Sequence, residues 1–122
     1  MSKQQIIDAG ERALAALEAA LAILDEHEGD AKELPAEAIK LLREAIELLG
    51  EVEAGAKRLS EARDENASGF DHWQALDDTA MRLGTTVKHT LDNEYGGVPR
   101  NRLTADIDAF REAVEVADRA PE

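Results

Sequence analysis

An arginine and a histidine on one helix face can carry out acid–base chemistry beside a phosphate, and this chain has such a pair in Arg82 and His89, separated by six residues. That spacing is close to two helical turns, so the two side chains project in nearly the same direction. Histidine exchanges a proton near neutral pH while arginine stays charged, which divides the pair into an acid/base and an anion contact. A solvated face accounts for the same residues. Counting round the helix puts them opposite Ala80 and Val87, in a row with Asp78, Thr85 and Asp92, and Asp78 stands at ion-pair spacing from Arg82.

The other reactive types are sparse. His27, His72 and His89 are far apart, and none stands in the Glu-x-x-His arrangement of a di-metal bundle. There is no cysteine, so disulfides, thiolate nucleophiles and Cys-ligated metals are excluded. Ser2, Ser60 and Ser68 are the only serines, and neither a Gly-x-Ser-x-Gly elbow nor a glycine-rich phosphate loop is present. The densest acidic cluster is Asp25, Glu26, Glu28 and Asp30 with Glu33 beyond. It lacks the alternating ligands and closing glutamate of a calcium loop and reads as a solvated helix end. Carboxylates at that end oppose the helix dipole, which hints that they serve a contact. Arg100-Asn101-Arg102 is a local basic excess that could bind an anion or an acidic partner and is read as a connector between helices whose arginines offset nearby acids. The expectation is no metal, no cofactor and no enzyme.

The Arg82-to-His89 spacing on one helix resembles the arginine–histidine motif of the HEPN superfamily, helical-bundle proteins that include metal-independent ribonucleases acting as dimers. The resemblance implies an all-helical fold, with His89 as acid/base near a scissile phosphate and Arg82 as the phosphate contact. It covers one helix.

The elements that must position these residues are legible as periodicity. Ile7, Leu14, Leu17, Leu21 and Leu24 recur at helical spacing beside a row of Ala9, Ala13, Ala16, Ala20 and Ile23, predicting a helix from about Gln4 to Glu28 with two packing partners, one of them near. Pro35 is suited to the start of a second helix running to about Asn66. Its apolar arc is wide: Ile39, Leu42, Ile46, Leu49, Ala56 and Leu59 on one stripe, Leu41, Ala45, Leu48 and Val52 on the next. Gly50 and Gly55 lie within it and predict a bend or a close backbone contact. Asp71 and Gln74 form the cap of a third helix with Trp73, Leu76, Ala80, Leu83, Val87 and Leu91 on its core face, closed by Gly96-Gly97 and Pro99. Thr104 is the expected cap of a fourth, with Asp106 and Asp108 in its first turn and Leu103, Ile107, Phe110, Val114 and Ala117 buried. The prediction is an all-α, antiparallel four-helix bundle with one long helix, forming a single domain over residues 1–122.

Twenty-seven acids against 14 basic residues give a net charge of −13, spread along the chain, which opposes contact with phosphate backbones and anionic membranes. No apolar run is long enough to span a bilayer, and the absence of cysteine suits a reducing, cytoplasmic setting. Direct nucleic-acid binding and membrane association are not expected. The expected function is a non-enzymatic acidic interaction module whose partner is a protein with a basic surface. One form is an inhibitor that occupies a nucleic-acid-binding site, as phage-encoded anti-CRISPR proteins can. The acids placed on that surface are Glu37, Glu44, Glu47 and Glu51 on the second helix together with Asp25, Glu26, Glu28, Asp30 and Glu33. The stripe Leu41, Leu48 and Val52 must be covered by another helix or by a second copy of the chain, making a homodimer the alternative to intramolecular packing. A HEPN-like ribonuclease and a structural or assembly subunit are the competing classes.

Overall fold

The computed structural model of the chain describes residues 3–26, 35–62, 71–92 and 100–119. They form four helices, α1 (Lys3–Glu26), α2 (Ala36–Glu61), α3 (His72–Asp92) and α4 (Arg100–Arg119), with no strand among the described residues. Each helix packs on the next and α4 returns to α1, closing a four-helix bundle. Antiparallel pairing follows from which ends meet. Thr86 near the end of α3 bonds Asp106 near the start of α4, while Gly10 and Glu18 of α1 meet Val114 and Arg111 in reversed order along α4.

The helix ends follow local chemistry. Asp71 caps α3: one carboxylate oxygen accepts the backbone N–H groups of Trp73 and Gln74, both at 3.1 Å, and the other accepts the Ser60 hydroxyl at 2.7 Å. The cap residue of α3 is thereby tied to the last turn of α2. Pro35 sits one residue outside α2 with φ −58° and ψ 144°, and its carbonyl accepts the Ile39 N–H at 3.0 Å. At 26 residues α2 is the longest of the four, but it ends at Glu61, five residues before Asn66, which lies outside the described residues. The fourth helix departs most from expectation. It begins at Arg100, immediately after Pro99 in sequence, so Thr104 is an exposed interior residue rather than a cap, and Asp106 and Asp108 fall beyond the first turn. The Arg100-Asn101-Arg102 run is therefore the first turn of α4 and not a connector.

The core is built as the periodicity requires. Ile6, Ile7, Leu17, Leu42, Leu49, Leu76, Leu83, Leu103, Ile107 and Phe110 are essentially inaccessible. The α1 row of Ala9, Ala13, Ala16 and Ala20 is buried as well. That row lies on the flank of α1 away from Gly10 and Glu18, which meet α4, so it faces α2. The two partners expected of α1 are thus α2 and α4. On α2, Glu53 and Ser60 mark the side turned to α3. Leu41, Leu48 and Val52 lie on the opposite flank, toward α1, where Val52 is fully buried and Leu41 and Leu48 are half-buried against the core.

Of the two glycines of α2 where a bend or close contact was anticipated, Gly55 is buried and Gly50 is exposed, and a close contact is found at Gly10 of α1. A Cβ built on Gly50 would meet nothing within 4 Å, whereas one on Gly10 would stand 3.0 Å from Val114 Cγ2 and 3.5 Å from Phe110 Cζ. Gly10 lets the α4 side chains lie against the backbone of α1, an approach that no other residue type permits without displacing Val114.

Candidate functional site

Two features of the surface bear on function: the seam between α3 and α4, which holds Arg82, and the acidic outer faces of the helices. The seam is fixed by one buried polar contact. Thr86 is only 3% exposed, and its hydroxyl donates to the Asp106 carboxylate at 2.6 Å. A buried hydroxyl without a partner would cost about 1–3 kcal/mol, so this bond sets the register of α3 against α4. Above it is a groove of about 390 Å³ lined by Asp78, Met81, Arg82, Thr85, Thr86 and Arg102. Met81, 52% exposed, is its apolar wall.

Arg82 and His89 are both exposed, on the side of α3 turned from the core. The groove takes in Arg82 but not His89, so the two are not brought together in one concave site. The Asp78–Arg82 ion pair that their spacing allows is not formed among the described residues. Arg82 instead lines the same groove as Arg102 of α4, a grouping that sequence reasoning missed because it depends on where α4 begins.

The acids of the predicted binding surface divide into three groups. Glu37, Glu44, Glu47 and Glu51 are all exposed on the outer face of α2, with the exposed cations Lys40, Arg43, Lys57 and Arg58 among them. Asp25 and Glu26 are exposed in the last turn of α1, which carries no basic residue. Glu28, Asp30 and Glu33, with His27, lie outside the described residues. A face that the sequence reading did not single out is more uniformly acidic. The exposed charges of α1 are Asp8, Glu11, Glu18, Asp25 and Glu26 against Arg12, and the adjacent α4 exposes Asp108, Glu112, Glu115 and Asp118 against Arg102 and Arg119, with Glu112 on its α3 side. Arg111 bridges the two helices by pairing with both Glu18 and Asp108, the latter at 3.1 Å. Its two partners lie on different helices, so only packing brings them together.

The stripe offered as a dimer face is accounted for within one chain at Val52, which has no exposed surface left to give a second copy. Between α2 and α3, Glu53 and Asp77 lie close enough to raise Glu53. Burial raises both carboxyls most; Asp77 adds to the effect on Glu53, and Asp78 adds to that on Asp77, while Lys88 and Lys57 act in the opposite sense. His72 opens α3 with its ring tilted against Trp73, centroids 5.0 Å apart, and Trp73 is half-buried against the core. Of the three serines only Ser60 is among the described residues, and its hydroxyl donates to Asp71.

Among the described residues, no three of His, Asp and Glu are grouped so as to hold a metal ion, and no helix is long and apolar enough to cross a membrane. No family model, no curated protein and no solved structure matches this chain.

Proposed function

We propose that this protein acts by stoichiometric binding, engaging a basic surface of a protein partner with its acidic helical faces and turning over no substrate. The observation that carries the reading is that the acids of α1, α2 and α4 stand on the outside of a bundle whose helices are already packed by their apolar faces. Glu18 and Asp108 are engaged by Arg111 and Asp106 by Thr86, while the row Glu37, Glu44, Glu47 and Glu51 and the α4 acids Glu112, Glu115 and Asp118 present their charge to the outside. A field of this sign attracts a cationic cleft and accelerates encounter. Occupation of a nucleic-acid-binding cleft is one form such binding takes. Within this reading, the α1–α4 side supplies the stronger field, because the cations of α2 interrupt its row of glutamates.

The test is reversal of charge on each face after a partner has been captured and purified. Glu11→Lys, Asp25→Lys and Glu115→Lys together should weaken binding by about tenfold or more, of the order measured for close interfacial charge pairs. Reversal at Glu44, Glu47 and Glu51 should weaken it less. Affinity unchanged by both sets would place the contact on an apolar surface and sink the proposal.

A further inference from the structure

We propose that the groove between α3 and α4 is a binding site for a compact, doubly charged oxyanion of the phosphate-monoester type, gripped by Arg82 and Arg102. The two arginines come from different helices and line one groove of about 390 Å³, at the small end of the roughly 300–1,000 Å³ typical of small-molecule sites. Each arginine has an acid four residues away along its own helix. Asp78 does not pair with Arg82, and Asp106, the neighbour of Arg102, is held by the Thr86 hydroxyl at 2.6 Å. Among the described residues neither Arg82 nor Arg102 makes an ion pair or hydrogen bond, whereas Arg111 of the same α4 makes two. Two like charges are thus presented to one concavity in a chain of net charge −13, where acids to neutralise them are abundant.

The donors left open define the ligand. The Thr85 hydroxyl donates to the Met81 carbonyl at 3.0 Å and that of Thr86 to Asp106, so the two guanidinium forks supply the binding hydrogens. Planar forks match the oxygens of a phosphoryl group bidentately. Arg102 also lies in the first turn of α4, where the helix dipole opposes a cation and favours an anion beside it. A compact dianion satisfies both arginines at once. Among the described residues Asp78 is the one acid lining the groove and leaves it a net positive charge, whereas an extended polyanion would also meet Asp92 further along α3 and be repelled. His89 does not line the groove, so the site binds and does not transfer protons.

The experiment is a titration of the isotope-labelled chain with phenyl phosphate, followed by amide chemical shifts, at constant ionic strength maintained with chloride and with benzoate as the monoanionic control. The expected result is saturable shifts at Met81, Arg82 and Arg102 with an affinity on the order of millimolar. They should weaken about tenfold or more in both Arg82→Gln and Arg102→Gln and remain unchanged in Arg58→Gln. Both arginines are exposed, so helical content should be retained; if one variant unfolds, the other still decides the question. Shifts that never saturate, that benzoate reproduces at equal concentration, or that survive either substitution would overturn the proposal.

Discussion

Replacing glycine by alanine inside a helix is a sensitive probe of this packing, because the same change should have opposite signs at two positions. Gly50 is exposed on α2, and an added Cβ meets nothing within 4 Å. Gly50→Ala should therefore gain the full difference in helix propensity, about 1 kcal/mol. For a domain of this size that corresponds to a rise in Tm of about 4 °C. At Gly10 the same gain is met by a Cβ only 3.0 Å from Val114 Cγ2, with Phe110 Cζ at 3.5 Å behind it. Valine is stiff at χ1 and both side chains are buried, so Val114 has little room to give the few tenths of an ångström the contact needs. Overpacking of this kind costs about 1–3 kcal/mol. Gly10→Ala should then lie between neutral and about 2 kcal/mol destabilising, and adding Val114→Ala should cancel the clash term in a double-mutant cycle. Urea unfolding followed by far-UV circular dichroism measures both. Equal stabilisation by Gly10→Ala and Gly50→Ala would refute the close approach of α1 and α4 and with it the placement of Glu11, Glu18 and Glu115 on one face.

Other expectations follow from single contacts. Asp71→Ala removes the cap of two backbone N–H groups and the acceptor of Ser60, and should cost about 1–2 kcal/mol in chemical denaturation; an unchanged midpoint would show that α3 is not capped there. Thr86→Val should cost about 1–2 kcal/mol, with a coupling to Asp106→Asn visible in a double-mutant cycle, and additive effects would deny the bond. Glu53 and Asp77 bind a proton more tightly folded than unfolded, so their contribution to stability increases as pH falls through their raised folded values and is complete below the ordinary carboxylate range. In Glu53→Gln/Asp77→Asn, the rise in Tm on mild acidification should be smaller than in the parent chain; an identical rise would assign it to the other acids. His89→Ala, at an exposed position, should shift stability by no more than about 0.5 kcal/mol, and metal-independent RNA cleavage abolished by both His89→Ala and Arg82→Ala would establish the ribonuclease alternative instead.

The core of the bundle was readable because helical burial is periodic. Leu103, Ile107, Phe110, Val114 and Ala117 are all buried, as are Leu76, Ala80, Leu83 and Val87, since an apolar stripe wins its place by removal from water whatever it packs against. The Asp71 cap was readable for a similar reason: its partners lie two and three residues away in sequence. The start of α4 was not, because Thr104 has the right chemistry for a cap while Pro99 is compatible with a helix beginning directly after it, and the second possibility prevailed. Everything that depends on two distant residues escaped. The Gly10 approach to Val114, the bridge from Arg111 to Glu18 and the grouping of Arg82 with Arg102 in one groove each join helices whose relative rotation no single periodic pattern encodes. The wide apolar arc of α2 was recognised, and within it Val52 is fully buried in one chain while Leu41 and Leu48 are half-buried, a difference that periodicity along one helix does not encode.

The central claim is that exposed carboxylates carry the binding, and the most direct measurement is the affinity for a purified partner as ionic strength is raised. Interactions between exposed charges are screened beyond about 8 Å at physiological salt and beyond about 3 Å at 1 M. The account predicts that affinity falls steadily across that range, chiefly through a slower association rate, and that the Glu11→Lys, Asp25→Lys and Glu115→Lys chain shows a shallower dependence. An affinity that is constant or rises with salt would contradict it and assign recognition to apolar surface.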